Sequence, residues 1–150
     1  YKHAKASGIK DEISRKLAFA PHINIGVFSL EKNSKCWEVW QKNLEKTLSK
    51  GKVFGSEGLA INIAVYHDNV PVEFLPLKCN WITSHLLPKY DVQNDTFVEP
   101  YLPNDRIGII HLAAGLWKNN KDMRLNKDIK IELKTLDGKT VDKSLRFGIK

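Results

Sequence analysis

Ile107-Gly108-Ile109-Ile110-His111-Leu112-Ala113-Ala114-Gly115 is the stretch on which the fold of this 150-residue chain turns. Residues 107–110 form a nearly continuous apolar run, the pattern of a buried strand, and the run ends on a histidine followed mostly by small residues. In an open α/β sheet, ligands bind beyond the carboxyl ends of the strands, so a strand over 107–111 predicts that His111 faces a ligand. An imidazole there can hold a divalent metal or a phosphate; the plainer alternative is a histidine hydrogen-bonded at the edge of the core. The small residues up to Gly115 let a ligand approach the backbone closely, and Lys118 then offers a cation suited to a diphosphate. Taken alone, Lys118 is an ordinary surface lysine.

Upstream of this stretch, helical and strand patterns interleave. Ile9, Ile13 and Leu17 recur at helical spacing before Pro21 stops the pattern. Residues 23–30 are rich in β-branched and aromatic types and predict a strand, with Asn24 and Gly26 inside it. Ser34 is a good N-cap for a helix carrying Trp37, Trp40, Leu44 and Leu48 on one stripe and closed by Gly51; the Trp pair reads as packing. Ser56 caps a further helix, with Glu57 in its first turn and a body, residues 59–65, that is apolar nearly all round and therefore buried. Residues 72–75 predict a short strand, followed by a long irregular stretch through Trp81, Pro88, Pro100 and Pro103. Beyond Asn126, Ile129, Ile131 and Leu133 alternate with Lys130, Glu132 and Lys134, and Asp137-Gly138 is a turn signal, so residues 127–150 predict a half-exposed β-hairpin. The order of elements predicts an α/β layer structure with a mixed sheet, flanking helices and this C-terminal hairpin.

Composition narrows the function. The formal charge of +7 is almost all lysine scattered along the chain, without the clustered Arg and stacking aromatics of nucleic-acid binders, so no nucleic-acid partner is expected. No apolar run approaches the roughly 18 residues of a membrane span, and no membrane span is expected. Cys36 and Cys79 stand apart with no metal-ligand spacing, which favours a reducing, cytoplasmic setting.

Other polar residues fall where an apolar one would suit the element better. Gly26 inside a strand marks either close approach by a ligand or a bulge, and Asn24 either meets sugar hydroxyls or bonds a neighbouring loop. Asn62 inside the buried helix must be hydrogen-bonded, as a loop anchor or as a ligand contact. Glu57 is either an ordinary first-turn carboxylate or an acid or nucleophile facing a substrate. Asn80 and Trp81 lie in the long loop, where the indole either stacks on a sugar ring or plugs the core.

Taken in order, the Ile23-to-Phe28 segment, the Trp-bearing helix, Ser56-Glu57 leading to Asn62, Leu75-Pro76 with Asn80, and His111-to-Gly115 with Lys118 resemble the family 8-like glycosyltransferases of the GT-A fold. The resemblance runs over residues 21–118. It implies a nucleotide-diphosphate sugar donor, a carbohydrate or other hydroxyl acceptor, and a divalent cation, Mn²⁺ or Mg²⁺. It further implies that His111 is a metal ligand, that Gly115 and Lys118 hold the diphosphate, that Glu57 is catalytic, and that Asn24, Gly26, Asn62, Asn80 and Trp81 line the substrate pocket. The Asp-x-Asp motif that supplies carboxylate metal ligands in such enzymes has no counterpart here. The expectation is therefore that residues 1–126 are the C-terminal part of a catalytic domain, inactive alone, with those carboxylates upstream. The alternative expectation is a non-catalytic carbohydrate-binding or scaffold module.

Overall fold

The computed structural model describes residues 2–112 and 130–146. Gly115 and Lys118 lie outside them. The chain divides into two compact units, Tyr1–Phe74 and Leu75–Lys150. It is α/β in the broad sense, with helices and small sheets, but among the described residues the two kinds of element do not interleave: the four described α-helices belong to the first unit and the described strands to the second.

The first unit is built round one helix. α1 (Lys2–Ala6) ends at Gly8, whose φ of +71° suits a residue without a side chain, and α2 (Asp11–Phe19) follows. Asp11 and Glu12 sit in its first turn, where the helix dipole favours anions. α3 (Cys36–Leu48) and α4 (Ser56–Tyr66) complete the set. As its sequence predicts, α4 is apolar nearly all round and buried from Leu59 to Ala64. Leu59 and Ile63 pack with Ala4, Ile9 and Ile13, while Ile61 and Ala64 pack with Cys36 and the half-buried Val39, Trp40, Ile25 and Leu30. Burial of each large aliphatic side chain there contributes about 1.5 to 3 kcal/mol.

Several local expectations are corrected in this unit. Residues 23–30 form no strand, because no neighbouring segment pairs with them; their β-favouring side chains instead pack as irregular backbone against α3 and α4. Residues 72–75 likewise form no strand, and Val72 and Phe74 are exposed. Ser56 is the first residue of α4 rather than its cap; the cap position is Gly55 at φ +85°, and the Ser56 hydroxyl donates to the Lys52 carbonyl. On α3 the cap position is Lys35 and not Ser34, although the Ser34 hydroxyl accepts the Cys36 N–H at 3.2 Å. The face that α3 buries, however, is Cys36, Asn43 and Thr47, while Trp37 and Leu48 are exposed. Trp37 stacks on Trp40 at 6.0 Å and 14°, and Phe28 meets both rings edge-on, so the indoles cover the flank of the helix.

The second unit holds three two-stranded sheets rather than one mixed sheet among the described residues. β1 (Trp81–Ile82) pairs in parallel with β4 (Ile110–His111); β2 (Lys89–Asp91) and β3 (Thr96–Val98) form one antiparallel hairpin, β5 (Ile131–Lys134) and β6 (Thr140–Lys143) another. The stretch expected to be a long irregular loop therefore contains paired strands. The buried strand over 107–111 shrinks to its last two residues: Ile107 is buried, Gly108 and Ile109 are exposed, and Ile110 and His111 are half-buried. Its short partner β1 supplies only two rungs, which limits how far the pairing runs. The C-terminal hairpin matches its alternating pattern, with Leu133 buried, Glu132 and Lys134 exposed, and Gly138 at φ +83° in the turn. It is tied to β2 by a parallel bridge between Tyr90 and Thr135, and Tyr90, Leu133 and Leu145 form a common core with Phe97 and Ile110 packed against it.

Candidate functional site

The predicted site residues fall into two groups, one in each unit, and each group is described in its own unit. In the first, Asn62 is 4% exposed and its carboxamide is bound up with backbone. Its Oδ1 accepts the Ile23 N–H at 3.0 Å, and its Nδ2 donates to the carbonyls of Gly58 at 2.7 Å and Ile23 at 3.3 Å. Of the two roles open to it, Asn62 takes that of loop anchor. Asn24 accepts the Gly26 N–H at 2.8 Å, a turn closed by its own side chain, so Asn24 and Gly26 sit in a bend and not in a strand. Glu57 is exposed in the first turn of α4, and its backbone carbonyl accepts the Trp40 indole N–H at 3.1 Å. A Cβ added to the neighbouring Gly58 would lie 3.9 Å from His22 Nε2, in ordinary contact.

In the second unit the structure joins Asn80 to His111, 31 residues further along the chain. The 3₁₀ turn Leu77–Cys79 delivers Asn80 to the start of β1, and the parallel register sets Ile82 opposite His111. Asn80 Oδ1 then lies 3.0 Å from His111 Nδ1. A carbonyl oxygen has only lone pairs to offer, so the imidazole carries its proton on Nδ1 and presents Nε2 as an acceptor in the neutral ring. The strand end is fixed from the other side by Thr83, whose N–H and hydroxyl both donate to the His111 carbonyl, at 3.2 Å and 3.1 Å.

Trp81 is 5% exposed, donates its indole N–H to the Leu86 carbonyl at 2.9 Å, and lies 6.0 Å from the Tyr101 ring. A cavity of about 210 Å³ opens here, lined by Asn80, Trp81, His85, Tyr101 and the apolar Leu77 and Leu86. His85 and Tyr101 carried no signal of their own in the sequence; only the proline-flanked loop around Tyr101 pointed that way. Beside the site, Lys78 Nζ and Asp105 Oδ2 meet at 2.6 Å. The Asp105 hydrogen bond and charge raise the Lys78 pKa and keep it cationic, while the Gly108 N–H donates to the Lys78 carbonyl at 2.9 Å. Together these contacts hold the turn that carries Asn80.

A divalent cation needs more than this. Among the described residues no three His, Cys, Asp or Glu side chains converge, and His111 has one ring nitrogen facing Asn80. A single imidazole does not suit a hard, oxygen-preferring ion, so the described residues do not by themselves fit Mn²⁺ or Mg²⁺. Among them, too, no helix is long and apolar enough to cross a membrane. Comparison with protein-family models, with curated proteins and with solved structures finds no match.

Proposed function

We propose that this chain takes part in sugar transfer from a nucleotide-diphosphate donor to an acceptor hydroxyl, as a portion of a GT-A-type catalytic domain. The observation that carries the proposal is the 3.0 Å pairing of Asn80 with His111 beside a cavity walled by Trp81 and Tyr101. Sugars are bound by two means at once, polar groups for the hydroxyls and aromatic faces for the C–H edges, and this cavity has both.

In the transfer, the bond between the anomeric carbon and the donor phosphate oxygen breaks, and its electron pair leaves on the nucleoside diphosphate. The acceptor oxygen bonds the anomeric carbon and gives up its proton to a base. Asn80 holds the imidazole in the tautomer that leaves Nε2 able to accept a hydrogen bond from a substrate hydroxyl. Gly115 and Lys118 are assigned to the diphosphate on the resemblance alone. A divalent cation would neutralise charge on the leaving diphosphate, and its carboxylate ligands would have to come from outside the described residues.

The test is an NMR titration of the chain with UDP- and GDP-sugars, read at the Asn80 carboxamide and the His111 ring. Both resonances should move with a nucleotide sugar, and Asn80→Ala should weaken the effect by about tenfold, the scale of one lost hydrogen bond in a site. Lys118→Ala should weaken nucleoside-diphosphate binding more than nucleoside binding. If no nucleotide sugar moves either resonance, the transfer reading fails. If free monosaccharides bind as tightly as their nucleotide forms, the chain is a carbohydrate-binding module instead.

A further inference from the structure

We propose a second ligand site in the second unit, a cleft on the β2–β3 hairpin that takes a sugar carrying a carboxylate. It shares no lining residue with the cavity at Asn80 and Trp81 and does not rest on the transfer reading. The cleft measures about 420 Å³ and is lined by Asp91, Asn94, Thr96, Val98, Asn104 and Arg106. Pockets of this size hold small ligands.

The hairpin register explains why these side chains meet. Asp91 pairs with Thr96, and Val98 is bridged to Arg106, so the three segments present Asp91, Thr96, Val98 and Arg106 on a common face. The other face, with Tyr90 and Phe97, goes to the core. Val98, 3% exposed, is an apolar floor, and the polar groups stand round it.

Which of them are free for a ligand follows from their bonds. The Asp91 carboxylate accepts the Gln93 N–H at 2.9 Å, the Asn94 N–H at 3.3 Å and the Asn94 side-chain N–H at 2.7 Å. Chiefly through Asn94, those donors keep its pKa below the usual carboxylate range, and they engage its oxygens within its own turn. Asn104 donates to the Glu99 and Tyr101 carbonyls, which leaves its Oδ1 as an acceptor. The Thr96 hydroxyl and the Arg106 guanidinium have no side-chain partner among the described residues. The cleft thus offers one unmatched cation in a fork geometry that fits a carboxylate, next to a hydroxyl and two amide oxygens that fit sugar hydroxyls. The chain's excess of positive charge favours approach of an anion.

Methyl β-D-glucuronide and methyl β-D-glucoside differ in the group that Arg106 would read, so the pair tests the proposal on the unaltered chain. Titrated with each and followed by amide and Arg Nε NMR signals, the glucuronide should move Thr96 and Arg106 and bind about tenfold more tightly than the glucoside, the scale of a charge-assisted hydrogen bond. Arg106→Gln should abolish that preference, and Thr96→Val should weaken both ligands. Equal binding of the two glycosides, no movement at Thr96 and Arg106, or inorganic phosphate binding as well as the glucuronide would each overturn the proposal.

Discussion

The Asn62 carboxamide grips the backbone of Ile23 from both sides, accepting its N–H at 3.0 Å and donating to its carbonyl at 3.3 Å. A segment rich in strand-forming residues thereby satisfies its backbone from a helix side chain in place of a neighbouring strand. Replacing Asn62 by Leu keeps the volume but leaves half-buried polar groups of Ile23 and Gly58 without these partners. The expected loss is about 2 to 3 kcal/mol, read as a lower urea midpoint with an unchanged slope. A loss under about 0.5 kcal/mol would show that water replaces the amide freely.

Gly51 marks the tightest approach in the first unit. A Cβ placed there would stand 2.4 Å from the Thr47 carbonyl oxygen and 2.5 Å from Ser7 Oγ, and the Ser7 hydroxyl is buried with no hydrogen-bond partner. Backbone cannot retreat as a flexible side chain can, so Gly51→Ala should cost about 1 to 3 kcal/mol and lower the melting temperature. Adding Ser7→Gly to that variant should recover only part of the loss, because the Thr47 contact remains.

The C-terminal hairpin carries its own acid dependence. Asp137 is held down to about 2, first by the Thr135 hydroxyl and then by Lys139, whose Nζ lies 3.0 Å from Oδ2. A carboxyl depressed in the folded state stabilises it at pH above the ordinary value of 3.8, and that contribution is lost as pH falls through about 2. Thr135→Val should therefore raise the Asp137 pKa toward 3.8 in a carbon-detected NMR titration and move the acid unfolding of the hairpin to higher pH. An unmoved titration curve would remove Thr135 as the cause.

The neutral His111 ring should hold the less common tautomer. Free imidazole favours the proton on Nε2, whereas the Asn80 carbonyl oxygen requires it on Nδ1. Nitrogen chemical shifts of His111 at high pH should report the Nδ1–H tautomer in the native chain and the opposite one in Asn80→Ala. The same tautomer in both would mean that Asn80 does not set it.

Some of this architecture is legible from residue order and some is not, and the division follows the range of the interactions involved. The β5–β6 hairpin and α4 could be read because their signals are local: strict alternation with Asp137-Gly138 in one case, an unbroken apolar body in the other. Residues 23–30 look like a strand because side-chain propensity says nothing of whether a partner strand exists. Trp37 and Leu48 look like part of the buried stripe of α3 because they are large and apolar, yet they are exposed, while Cys36, Asn43 and Thr47 are buried and Trp40 packs half-buried beside them. In the site, His111 and Asn80 could be singled out separately. Their contact could not, since it depends on a register between segments 31 residues apart. The cleft at Arg106 was missed for a related reason, as nothing local shows that Arg106 is bridged to Val98.

The two-rung parallel ladder of β1 and β4 has one further consequence. Successive side chains alternate between its faces, so sliding either strand by a single step would turn His111 away from Asn80, and few rungs oppose such a slip. Thr83 is the stop: with two donors closing on one carbonyl, it locks the phase of the ladder. The Asn80–His111 contact is thus digital, present when the strands are in step and erased when they are one residue out.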